Sequence, residues 1–266
     1  MKTPEEFREI CQWSLPFAPW MDVGLKRLPG MKPLALADWL AFDEACARQM
    51  AYRDWLIAHR RADVVAETPE AGPAAQELLE TLLEALAEAP DYEVGQGAVV
   101  RPDGVTVTLR AEDPMATAGR LTQDDFCLLL PQDGEQVLKA AVLCFPASWT
   151  LAEKINRPMM RIHKPVPDYD GDIGQRVQRM FDRMQAGTVM FRANAFLYSD
   201  PDLHHPRSEA APRVPDDKSS DRWVRVERQT LRKLPLSGAV AFGIHTYVVP
   251  KQSLSAEQRE SFGGPE

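Results

Sequence analysis

Residues 223–250 read WVRVERQTLRKLPLSGAVAFGIHTYVVP. Two runs rich in Val, Thr, Tyr and Ile flank Pro235 and Gly238. Proline presets one turn dihedral and glycine supplies a positive one, so the stretch predicts two strands joined by a tight antiparallel turn. Alternation along the first strand puts Trp223, Arg225, Glu227, Gln229 and Leu231 on one face. Val224, Val226, Arg228, Thr230 and Arg232 fall on the other. A charged row of this kind fits two situations. One is a solvated sheet face with cross-strand ion pairs. The other is the polar wall of a cavity, with Arg225 near a carboxylate or oxygen ligand and Glu227 near a cation.

Working outward, TVMFRANAFLYSD (188–200) predicts a neighbouring strand. Val189, Phe191, Ala193, Ala195 and Leu197 share its apolar face, and Arg192 and Asn194 share the other with Met190 and Phe196. DFCLLLP (125–131) and QVLKAAVLCFP (136–146) are further strands around a turn at Asp133-Gly134, and GAVVRPDGVTVTLR (97–110) reads as a hairpin. Helical spacing predicts helices over Ala35–Arg61, Ala74–Ala89 and Gly171–Met184. Thr150-x-x-Glu153 fits a capping box for a short helix over Leu151–Ile155. Residues 1–33 read as irregular but, from their aromatic content, as packed across the domain rather than as a floating tail, Asp200–Asp221 as a long exposed loop, and the end of the chain as a frayed tail. The expected organisation is 1–90 as an extended segment and helices, 91–250 as the core, and 251–266 as a tail. Strands grouped together with helices before and between them give an α+β fold, with a mainly antiparallel sheet, flanking helices and an N-terminal helical layer.

The 266 residues carry 31 Lys and Arg against 39 Asp and Glu, a net charge of -8. Nucleic acid and anionic membranes call for a basic face, so both are disfavoured as general partners. No apolar run approaches a membrane span, and the acidic start MKTPEEFREI lacks a signal-peptide core, which reads as cytoplasmic. Cys11, Cys46, Cys127 and Cys144 are far apart, so reduced thiols are expected rather than zinc or an iron–sulfur cluster. No glycine-rich dinucleotide or nucleotide fingerprint occurs.

The histidines are the remaining candidates. His163 lies in Ile162-His163-Lys164-Pro165-Val166-Pro167, where two prolines stiffen the chain. On spacing alone it is an ordinary loop residue sooner than a ligand, because no second ligand stands at metal-site spacing. A lone histidine suits the axial position of a haem, whose porphyrin supplies the other nitrogens. His245, in an apolar strand, is the rival ligand. His204-His205 reads as a solvated pair, and His59 as the edge of a helix.

LCFPASWTLAEKINRP, IHKPVPDYDG, FRANAFLYSDP and WVRVERQTLRKLPLSGAVAFGIHTYV resemble the haem-dependent oxidative N-demethylase family. The likeness extends over roughly residues 13–250. It implies a PAS-like core that holds haem b. It also implies a monooxygenase that converts a secondary or methylated amine such as dimethylamine to the demethylated amine and formaldehyde. Dioxygen is the oxidant, and a separate reductase with FMN, a 2Fe-2S cluster and NADPH delivers the electrons. His163 becomes the expected ligand of the haem iron. Arg192, Asn194, Arg228 and His245 are expected around the cofactor, and Glu227 and Arg225 at the reacting amine. The alternative is a non-catalytic PAS-like haem sensor of gas or redox state.

Overall fold

The computed structural model describes residues 10–26, 30–164, 171–211 and 222–262. In chain order the helices are α1 (Val23–Lys26), α2 (Cys46–His59), α3 (Arg61–Val64), α4 (Gly72–Ala87), α5 (Pro114–Leu121), α6 (Leu151–Lys154), α7 (Met159–Ile162), α8 (Gly171–Arg183) and α9 (Ala256–Ser261). The strands are β1 (Lys32–Leu34), β2 (Val65–Glu67), β3 (Glu93–Val94), β4 (Ala98–Val100), β5 (Thr106–Thr108), β6 (Asp125–Gln132), β7 (Glu135–Val142), β8 (Val189–Tyr198), β9 (Trp223–Lys233) and β10 (Val240–Pro250). A seven-stranded sheet runs β1-β8-β9-β10-β6-β7-β2, and a small sheet runs β3-β4-β5. Every ladder is antiparallel. The fold is α+β.

The stretch 223–250 forms the expected hairpin, with Val240 opposite Lys233 and Pro250 opposite Trp223. Gly238 takes φ 69° in its turn, and the Glu77 carboxylate accepts from Leu236 N (2.6 Å) and Ser237 N (2.7 Å). The β6–β7 turn is at Asp133-Gly134, both with positive φ as a two-residue hairpin turn demands.

Pairing partners share a face, so the register sorts the sheet. Arg225, Glu227 and Gln229 stand on one face with Arg192 and Asn194, since Asn194 pairs with Glu227 and Arg192 with Gln229. This face is covered by α6, α7 and α8, whose Leu151, Met159, Val177 and Phe181 pack with Leu231 and Ile244. The opposite face packs Phe17 against Phe191 and Tyr247, and Arg232 over the Trp39 ring.

Five expectations change. The helix expected over Ala35–Arg61 is broken into a single 3-10 turn at Leu36–Asp38 and then α2. The Arg228 guanidinium takes the Asp38 and Trp39 carbonyls that a continuing helix would use, and Asp43 is drawn into the core by His245. α5 was not anticipated. The tail forms α9, with a capping box at Ser255 and Gln258 and Phe262 against Trp20. At α6, Thr150 Oγ1 donates to the Glu153 side chain (2.7 Å) rather than capping the backbone. Within the expected exposed loop, Leu203 is fully buried and His204 and His205 are half-buried, Asp200, Pro206, Ser208, Glu209 and Ala210 are exposed, and 212–221 lie outside the described residues.

Candidate functional site

β9 builds the centre of the site. Arg225, Glu227 and Gln229 are all buried, so the solvated-face reading of this row is overturned. Burial of charges requires partners. Arg225 donates through Nη1 to Leu203 O (3.1 Å) and through Nη2 to Phe145 O (2.6 Å). Its Nε stands 3.9 Å from Glu227 Oε1. Gln229 Nε2 donates to Glu227 Oε2 at 3.1 Å. Burial pushes the Glu227 carboxyl up from its usual range; Arg225, Gln229 and Arg192 oppose that and Asp125 adds to it. A carboxylate held this way is a stronger base than an exposed one.

β8 adds the second row. Arg192 Nη2 donates to Asn194 Oδ1 at 2.6 Å. The Nε atoms of both Arg192 and Arg225 are buried with no hydrogen-bond partner. Two orphaned guanidinium donors on one face suit a planar anion such as a carboxylate.

His163 follows α7 on the helical layer over the same face. Met159 O accepts from both the His163 backbone N and Nδ1, each at 3.0 Å. A carbonyl only accepts, so Nδ1 carries the proton and the neutral ring's lone pair lies on Nε2. Burial pushes the ring's pKa down; the Met159 carbonyl opposes this, and the charges of Lys154 and Arg192 add to it. His163 is therefore neutral at physiological pH, in the tautomer that a backbone carbonyl imposes on metal-ligating histidines. Pro165 and Pro167 lie outside the described residues.

The register thus gathers Arg192, Asn194, Arg225 and Glu227 on one face, and His163 lies near enough to feel the charge of Arg192. It does not gather Arg228 and His245, which pair with each other on the opposite face. Arg228 donates to Trp39 O at 3.0 Å and sits 5.6 Å from the Phe191 ring. His245 is fully buried, with Nε2 2.9 Å from Asp43 Oδ2 and Nδ1 3.7 Å from Asp124 Oδ2. Burial alone would lower its pKa, but Asp124 and Asp43 carry it to about 9. An imidazolium has no lone pair for a metal.

Asp125, Lys154 and Glu209 had no signal in the sequence. Asp125 accepts from Cys144 N (2.7 Å) and Phe145 N (2.8 Å), which fixes the carbonyl that receives Arg225. Lys154 and Glu209 meet beside His163 at 2.5 Å. His204 Nδ1 donates to Cys144 O at 2.8 Å, and His205 packs edge-on to Tyr198, so neither is a solvated loop residue. None of the four cysteines forms a disulfide, and Cys11, Cys127 and Cys144 are buried. Among the described residues no group of three or more His, Cys, Asp or Glu could hold a metal ion, and no helix is long and apolar enough to cross a membrane.

A family model described as haem-dependent oxidative N-demethylase, alpha subunit-like, matches residues 30–262.

Proposed function

The chain belongs to the haem-dependent oxidative N-demethylase, alpha subunit-like family, and from that premise we propose that it binds haem b through His163 and oxidatively demethylates a secondary or methylated amine. The observation that carries this reading is the pairing of two features under one helical layer. One is a neutral histidine whose Nδ1–H is committed to Met159 O, and the other is a row in which half-buried Arg192 stands beside buried Arg225 and Glu227. The residues fit the cofactor. His163 would present Nε2 to iron, and the Nε of Arg192, which has no hydrogen-bond partner, would suit the carboxylate of a haem propionate. Arg228 and His245 are assigned a structural task on the far face of the sheet.

Haem, when bound, supplies dioxygen activation and the oxidising equivalents for the carbon–hydrogen bond next to nitrogen. The protein's own groups handle charge and protons. A dialkylamine arrives as a cation at neutral pH. Glu227, with its raised pKa, accepts the ammonium proton and leaves the nitrogen lone pair available. Arg225 beside it opposes the rise and favours the ionised carboxylate. Gln229 holds one carboxylate oxygen and thereby orients the other. The products are the demethylated amine and formaldehyde.

The alpha-subunit-like description implies further subunits. We assign the electron supply to one of them, a reductase that uses NADPH, FMN and a 2Fe-2S cluster.

Absorption spectra of haem-loaded wild type and His163→Ala test the ligand. The Soret band is expected to shift or disappear in the variant; an unchanged band rejects His163. Formaldehyde release from dimethylamine with NADPH and the reductase tests the reaction. No turnover across a panel of methylated amines rejects it.

A further inference from the structure

α7 is a single turn, and a single turn has little stability of its own. The orientation of the ring that follows it must be set from outside. Ile162 O, one residue before His163, receives Lys154 Nζ at 2.7 Å. Lys154 is only 4% exposed, and lysine is almost never so buried unless paired. Its partner is Glu209 Oε1 at 2.5 Å. Glu209 Oε2 also receives Arg161 of α7 at 3.1 Å. The Glu209 backbone N donates to both Glu153 oxygens, and Ser208 Oγ donates to Glu153 at 2.7 Å. Lys154 and Glu209 therefore join α6, α7 and the segment around Glu209 in one knot.

That segment continues to the other half of the site. Leu203, fully buried, gives its carbonyl to Arg225 at 3.1 Å. Ser148 N donates to His205 O at 2.9 Å, and His204 is tied to Cys144 O. Residues 203–209 form a strap. One end fixes Arg225 on the sheet, and the other fixes the one-turn platform of His163.

We propose that Lys154 and Glu209 are positioning residues for His163, and that the strap 203–209 sets His163 and Arg225 in register with each other. The inference rests on His163 as the axial ligand.

The test compares wild type, Lys154→Met, Glu209→Ala and His163→Ala by titrating the haem-free proteins with haemin. It also records the iron–histidine stretching band of the reduced complexes. Lys154→Met and Glu209→Ala are expected to bind haem about 10–100-fold more weakly, the usual consequence of removing the support behind a metal ligand. Their band is expected to shift or broaden, with far-ultraviolet circular dichroism retained. Methionine at a buried position can disturb folding, so the more exposed Glu209→Ala carries the same expectation independently. Wild-type affinity and an unmoved band in both variants, with the band lost in His163→Ala, overturn the positioning role and leave the ligand intact. A lowered Tm with an unmoved band marks the knot as merely structural and also overturns it. A band that survives His163→Ala removes both readings.

Discussion

Glu227 and His245 are buried ionisable residues that the same hairpin holds on opposite faces, and they predict opposite pH behaviour. The Glu227 carboxyl is raised in the fold. Below the unfolded carboxyl pKa of about 4.3 both states are protonated and the residue is neutral to stability. As pH rises, the unfolded chain ionises freely while the folded one resists, so a cost accumulates up to the folded pKa. Glu227→Gln removes that cost. At neutral pH its Tm is expected to exceed wild type. The gain should vanish near pH 4, while formaldehyde release falls at least about a hundredfold, the low end of what general base catalysis contributes. Thermal melts across pH check the first half and turnover the second. His245 runs the other way. Its folded pKa of about 9 lies above the unfolded value. Its ion pairs are fully present below about pH 6.5 and are lost as pH rises through 9. His245→Asn leaves Asp43 and Asp124 buried without their cation, at a cost of about 3–5 kcal/mol near pH 6 and less near pH 10. Urea melts at the two pH values decide it. A loss of the same size at both would mean that the imidazolium contributes nothing.

At the level of elements, period-two alternation in β9 and β8 made the site legible before any coordinate. It put Arg225 with Glu227, and Arg192 with Asn194, and the register kept both rows on one face. Alternation also separated Arg228 from Glu227, and only the likeness to a family grouped them again. What alternation cannot say is which face a helix will cover. A solvated row and a cavity wall have the same spacing, and only the packing of α6 to α8 decided between them. The interrupted first helix was illegible for a related reason. Its helical stripe is real, but Arg228, distant in sequence, takes the Asp38 and Trp39 carbonyls, and tertiary bonds outweigh local propensity. The joint between α2 and β6 carries a prediction at this scale. Arg53 and Asp125 are wholly buried, 2.6 Å apart, and Asp125 also holds the 144–145 backbone. Asp125→Ala takes the paired carboxylate from the buried guanidinium, which keeps only backbone carbonyls, and leaves two amides without their acceptor. It is expected to lower stability by about 3–5 kcal/mol, read as a lower urea midpoint with an unchanged slope.

At the scale of the whole molecule, the two ends of the described chain close on one another. Gln12 and Val248 exchange two hydrogen bonds, from Gln12 N to Val248 O (3.2 Å) and from Val248 N to Gln12 Oε1 (2.8 Å). Trp20 Nε1 donates to Gln258 O at 3.2 Å, and the Trp20 and Phe262 rings meet edge to face at 4.4 Å. Their aromatic cluster continues under the sheet through Phe17, Tyr247 and Val226. The early aromatic residues were legible as a packed segment, because a flexible tail would be poorer in them. The last turn was not, since Glu257, Gln258, Arg259 and Glu260 are polar and its apolar anchors, Leu254 and Phe262, lie on either side of it. Removing residues 251–262 exposes Trp20 and one edge of that cluster. Phe262→Ala should cost about 0.5–1.5 kcal/mol beyond its buried area, and the full deletion more. The clasp lies on the face opposite Glu227, so haem affinity in the Phe262→Ala variant is expected to match wild type while its Tm falls. If affinity fell with stability, the two faces of the sheet would be energetically coupled, and the division of labour between Glu227 and His245 would fail with it.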